Sequence, residues 1–183
     1  MRSLALSSLP LRRLGSLVGA LALVALFSSS ALAKESAAPA AAPISCGSVK
    51  QLVVVTNSVA QVNAGGLAFA NLPGAVANIN VPAGANACLL ARFTSESACY
   101  GGTGYCNVRI LIDGVEAAPV AGTDFSFDST DAGAETSSSW ESHAVERIRV
   151  VGPGAHVVQV QWAVTQAATK LRLDDYTLVV ERT

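Results

Sequence analysis

Charge and aromatic rings are both scarce in this 183-residue chain: 14% of its residues are charged and 5% are aromatic. Nowhere do lysines and arginines form a block. Affinity for nucleic acid rests mainly on neutralising phosphates, so that absence excludes a nucleic-acid partner. No C-x-x-C pair occurs and both histidines, His143 and His156, lie far from the cysteines, which removes a structural zinc site of the finger type. No G-x-S-x-G elbow is present, and the serines at 137–139 have no strand-turn-helix setting. The EF-hand pattern is also missing, because Thr130 and Ala132 stand at the third and fifth positions counted from Asp128. Disorder is excluded by the opposite property, a hydrophobic share of 51%.

The amino terminus carries its own signature. Arg2, Arg12 and Arg13 precede a 14-residue apolar stretch, Leu14 to Phe27, and Ala31-Leu32-Ala33 supplies small residues at a cleavage site. Basic head, short apolar middle and A-x-A end predict a cleavable signal peptide over 1–33. The stretch is shorter than the roughly 20 residues that span a bilayer, and no later run approaches that length, so no membrane span is expected after cleavage. The residues after Arg12-Arg13 fit a twin-arginine signal poorly. Cys46 stands too far beyond the apolar segment to be a lipidation site. Residues 34–45 (KESAAPAAAPIS) read as an Ala/Pro linker, which leaves 46–183 as one folded domain. Removing 33 residues from 183 leaves 150, and removing three arginines from 12 basic residues leaves nine against 13 acids, a net charge of -4. The expected location is secreted or periplasmic.

Beyond Cys46 the apolar pattern has period two, interrupted by Gly, Pro and Asn, and no helical period persists. Residues 52–56 and 77–81 read as strands. His156, Val158, Val160, Trp162 and Val164 share a predicted core face, while Ala155, Val157, Gln159, Gln161 and Ala163 face outward. In LRLDDYTLVV the alternation changes phase, which predicts a β-bulge at Asp174-Asp175. The expected fold is all-β: an antiparallel, jelly-roll-like β-sandwich of roughly 8–10 short strands.

Cys46, Cys88, Cys99 and Cys106 form an even set in an exported chain, and three pairings are open. The segment CYGGTGYC reads as a hairpin tip with Cys99 opposite Cys106. That register sets Glu96 against Arg109, Arg92 against Asp113, and Phe93, Ser95 and Ser97 against Ile112, Ile110 and Val108. It assigns Cys99–Cys106 and, by elimination, Cys46–Cys88. Loop closure gives the short bridge roughly 2.5 kcal/mol and the long one about 4 kcal/mol as upper values.

The segments ACLLARFTSESACYGGTGYCNVRILIDG, GTDFSFDST, GPGAHVVQVQWAV and LRLDDYTLVVER resemble a group of small exported bacterial β-sandwich proteins of unassigned activity. More distantly, the closing strands are similar to jelly rolls of the tumour-necrosis-factor and C1q type. The resemblance implies a sandwich fold and, for the distant class, trimers that bind through loops. The collagen-like stalk of C1q proteins is missing here.

Several residues are candidates for chemistry. The acidic Ser-rich stretch 128–141 holds four carboxylates, Asp128, Asp131, Glu135 and Glu141, of which the first three are the candidate calcium ligands, and no other cofactor is implied. Glu141, His143 and Arg147 alternate on one strand face; they would suit a carboxylate-based hydrolase, and read more simply as a surface polar row. His156 reads as a strand-end residue at the Gly152-Pro153-Gly154 turn. Tyr100, Tyr105 and Trp140 are the exposed-aromatic candidates for stacking on sugar rings. The simpler alternative pairs the tyrosines across the hairpin and sets Trp140 on a core edge. The reading that follows is a binding or assembly module at the cell surface or in the periplasm, its partner a glycan or an envelope protein. Gln159 and Gln161 mark a face where copies could associate into an oligomer. A carboxylate-based hydrolase and a purely structural envelope component are the alternatives.

Overall fold

In the computed structural model, residues 44–120 and 126–183 are described. The signal peptide and most of the linker expected from the sequence lie outside them. Two antiparallel sheets pack face to face. The first has the strand order β1 (Gln51–Asn57), β10 (Lys170–Arg182), β4 (Ala87–Tyr100), β8 (Glu141–Val151), with β2 (Gln61–Ala64) also beside β10. The second has the order β3 (Ala70–Val81), β9 (Gly154–Val164), β5 (Tyr105–Ile112), β6 (Val115–Glu116), with β7 (Asp128–Ser129) beside β5. The sandwich is therefore all-β as expected, with ten strands among the described residues. Among the described residues no helix is long and apolar enough to cross a membrane.

Alternation explains which side of each strand is buried. On β9, His156, Val158, Val160, Trp162 and Val164 all point into the core. The opposite face departs from expectation at Ala163, which is buried too. Gln159 and Gln161 do face outward, but their amides are engaged within the chain. Gln159 Nε2 donates to Ala75 O at 3.1 Å, and Gln161 Nε2 donates to Asn71 Oδ1 at 2.8 Å. On β10 the register against β4 shifts between Asp174 and Thr177, and Asp175 adopts φ 46. This bulge keeps Leu171 and Leu173 on the same buried side as Tyr176, Leu178 and Val180. Phe93, central on β4, meets both Tyr176 and Phe127, with ring centroids 5.5 and 5.9 Å away.

Both expected disulfides are present, Cys46–Cys88 and Cys99–Cys106. The hairpin register that suggested the short bridge is not. β4 and β5 lie in different sheets, so CYGGTGYC is an arch between layers, with Gly101 and Gly102 in the left-handed region at φ 80 and 67. Glu96 faces Ser142 and Asp174; Arg109 donates to Gln161 and pairs with Glu116 at 3.5 Å. Arg92 is bonded to Glu146, its Nε 2.8 Å from the carboxylate, and Asp113 to His156. Phe93, Ser95 and Ser97 likewise pair with β8 and β10 rather than with β5. Period-two alternation tells which residues share a face. It does not distinguish a partner beside the strand from one across the core.

The register yields a direct test. A double-mutant cycle on Arg92 and Glu146 should give a coupling of roughly 0.2–1 kcal/mol in urea unfolding, as exposed pairs do. The same cycle on Glu96 and Arg109 should give none, and a coupling there would restore the hairpin.

Candidate functional site

The arch end of the sandwich gathers most of the chemically capable side chains. Ser97 and Cys99 both point inward from β4, and both are fully buried. Across the core, Cys106 on β5 pairs with Asp128 on β7. The disulfide thus draws the two sheets together beside a second link. Ser97 Oγ donates to Asp128 Oδ2 at 2.7 Å, and Asp128 Oδ1 accepts the Ser129 N–H at 2.6 Å.

His143 completes the chain of contacts. It projects from β8 toward the same point, with Nδ1 2.9 Å from Ser97 Oγ and Nε2 3.4 Å from Glu141 Oε2. Its ring also rests against Phe127, with centroids 5.5 Å apart. The single hydroxyl proton of Ser97 goes to the Asp128 carboxylate, which can only accept when ionised. Ser97 therefore accepts from His143, whose Nδ1 carries a proton. The order Ser97–His143–Glu141 looks like a nucleophile, base and orienter, but it does not act as one. Ser97 has no solvent-exposed surface and donates away from His143, so no substrate carbonyl reaches it. One donor atom each from Asp128, Glu141 and His143 lies within 4.8 Å of the other two, and each oxygen of the buried Asp128 accepts one hydrogen bond.

The structure regroups the sequence candidates. Asp131 lies exposed in a short 3-10 turn, Asp131–Gly133, and Glu135 follows it. Among the described residues the converging donor set joins Asp128 to Glu141 and His143, not to Asp131 and Glu135. Of Glu141, His143 and Arg147, only Glu141 is exposed, so the three are a surface row at that end alone. They occupy the inward-facing side of the edge strand β8, where His143 is half-buried and Arg147 buried. Burial lowers the pKa of the Arg147 guanidinium, an effect opposed by the charge of Glu116.

The aromatic candidates separate. Tyr100 ends β4 on the outer face of the first sheet, opposite Lys170, whose ammonium lies 5.9 Å from the ring centroid. Trp140, just before β8, stacks on Arg172, with the guanidinium carbon 4.6 Å from the ring centroid. Lys170 and Arg172 stand two apart on β10 and so share that face. Tyr105 is on the other sheet and 54% exposed, and lines a cleft of about 300 Å³ with Ser129, Thr130 and Asp131. The tyrosines therefore do not pair across a hairpin. Reasoning from sequence missed Ser97, Lys170 and Arg172. A serine on the buried phase of β4 between Phe93 and Cys99 was the one available signal for the first.

His156 behaves as a strand-end residue. Its Nδ1 lies 2.7 Å from Asp113 Oδ2 and its Nε2 2.9 Å from Gly152 O. Burial raises the Asp113 pKa. The His156 hydrogen bond, the Val157 N–H, the His156 charge and Arg149 together outweigh it, so the carboxyl sits below its ordinary value of 3.8.

The chain matches no protein-family model and no curated protein. Among solved structures it is similar to a family 35 carbohydrate-binding module from Clostridium thermocellum, at 14% identity and TM-score 0.29, covering 70% of this chain and 97% of that one. It is also similar to the Agl-KA catalytic domain, at 12% identity, TM-score 0.30 and 74% of this chain. A third likeness is to dimeric latent PorU from Porphyromonas gingivalis, at 10% identity, TM-score 0.32 and 75% of this chain. The chain spans only 28% and 14% of those last two proteins.

Because the folded Asp113 pKa is depressed, its contribution to stability is present above about pH 4 and is lost as pH falls through the lower folded value. Asp113→Asn should unfold at lower temperature than the parent at pH 5, and calorimetry should show the gap closing toward pH 2. A gap that stays constant over that range would contradict the assignment.

Proposed function

We propose that this protein is an exported, disulfide-stabilised binding module of jelly-roll type whose ligand is an acidic polysaccharide. The observation that carries the reading is the row of Trp140, Arg172, Lys170 and Tyr100 at one end of the first sheet's outer face. Trp140 and Tyr100 are each half-buried, so part of each ring meets solvent while the rest is held by its neighbours. A flat ring stacks on the apolar face of a sugar, and its orientation here is preset by the adjacent cation. Two cations two positions apart on one strand suit carboxylates or sulfates spaced along a polymer. Arg172 and Lys170 stand out on a chain whose expected mature charge is negative. The jelly-roll type rests on the strand order, in which the long strands from β3 to β5 and from β8 to β10 alternate between sheets. Export, to the periplasm or beyond the cell, rests on the leader of residues 1–33 and on the two disulfides.

Affinity electrophoresis in gels containing polygalacturonate, with neutral xylan as the comparison, tests this. The purified oxidised protein should be retarded by polygalacturonate, at least tenfold less strongly after Trp140→Ala. Arg172→Gln should weaken retention and flatten its dependence on salt. Equal retardation by xylan would exclude an acidic ligand. No retardation, or retardation indifferent to Trp140→Ala, would leave an envelope protein or a second copy as the partner to be sought.

A further inference from the structure

We propose that Asp128, Glu141 and His143 form a binding site for one divalent first-row transition ion, for which zinc is the probe. One donor atom from each lies within 4.8 Å of the other two. Ions of this class hold nitrogen and oxygen ligands at about 2.0–2.2 Å, so the three donors need to draw in by about an ångström. Glu141 can supply that movement, since its side chain is 57% exposed and stands at the start of an edge strand.

Hydrogen-bond accounting points the same way independently. Ser97 donates to Asp128, so its oxygen accepts from His143 Nδ1, leaving Nε2 as the ring atom that faces Glu141. In the neutral ring Nε2 holds the lone pair, so it is the position from which His143 would share a cation with Glu141. Asp128 is 7% exposed, and its two oxygens accept from Ser97 Oγ and from the Ser129 N–H. Each of those oxygens keeps a second lone pair with which to ligate.

The surroundings match what metal-binding histidines use. The ring nitrogen not bound to metal usually donates to an oxygen, which fixes the tautomer and the ring plane. Ser97 does this for His143 and orients Asp128 with the same hydroxyl. Because β7 belongs to the second sheet and β8 to the first, the ion would bridge the two layers beside the Cys99–Cys106 bond. One imidazole and two carboxylates select against calcium, which takes six to eight oxygens, and favour zinc or its neighbours. Asp131 and Glu135 do not join the group. This site is separate from the aromatic row and stands or falls without it.

Isothermal titration of the untagged, metal-free, oxidised protein with zinc chloride tests the proposal. One equivalent should bind, and millimolar calcium should not displace it. Affinity should fall at least a hundredfold in His143→Gln and at least tenfold in Glu141→Gln, the exposed position where folding is not at risk. Ser97→Ala should weaken binding 10- to 100-fold while leaving the three ligands in place. Absence of a saturable one-equivalent isotherm, unchanged affinity in both His143→Gln and Glu141→Gln, or displacement by calcium would each overturn it.

Discussion

The distance between the two sheets at one end of the sandwich is fixed by the covalent link between Cys99 and Cys106, whose Cα atoms are 5.9 Å apart. Much of the arch-end chemistry depends on that separation. Ser97 lies two residues before Cys99 on the same inward face of β4, and Asp128 is the cross-strand partner of Cys106. The hydrogen bond from Ser97 to Asp128 therefore runs alongside the disulfide and spans the same gap. A two-residue strand such as β7 has too few ladder bonds to hold a carboxylate in place unaided. Here the bridge holds its neighbour on β5, and Phe127 anchors it against Phe93 in the core.

That arrangement separates two kinds of surface on one small domain. The interior end is polar, pinned and directional, with each proton of the Ser97–His143 pair assigned by its neighbours. The outer face of the first sheet is instead a row of rings and cations open to solvent. Buried polar groups specify geometry when all partners are present and destabilise when one is missing. Exposed rings contribute contact area at small entropic cost. A sandwich whose layers are covalently tied can carry both, because strain at the polar end is not free to spread the sheets.

Much of the fold was legible from alternation alone. The core face of β9, the bulge that keeps Leu173 and Tyr176 on one side, and the all-β class follow from period two and from two adjacent aspartates that interrupt it. Partners were harder. Glu96 and Arg92 do have oppositely charged residues at matching intervals, Arg109 on β5 and Asp113 in the turn after it, but β5 lies in the other sheet, and Arg92 uses Glu146 instead. The correct cysteine pair was thus reached through an incorrect register, since an arch and a hairpin both bring Cys99 and Cys106 together. The candidate ligands were all named, yet grouped by nearness in sequence. Asp128 was counted in one acidic stretch with Asp131, Glu135 and Glu141, whereas the structure keeps only Glu141 of these beside it and adds His143, 15 positions away. Such convergence depends on which strand crosses to which layer, a property local patterns do not encode.

The central claim is that the disulfide and the Ser97–Asp128–His143 chain form a single inter-sheet link. Long-range ¹H–¹⁵N correlation of the His143 imidazole, recorded on metal-free oxidised protein and on the Cys99→Ser/Cys106→Ser double variant, tests it most directly. The expected result is a proton fixed on Nδ1 in the bridged protein and averaged between the two ring nitrogens once the bridge is gone. A ring protonated on Nε2 alone, or identical spectra with and without the disulfide, would contradict it.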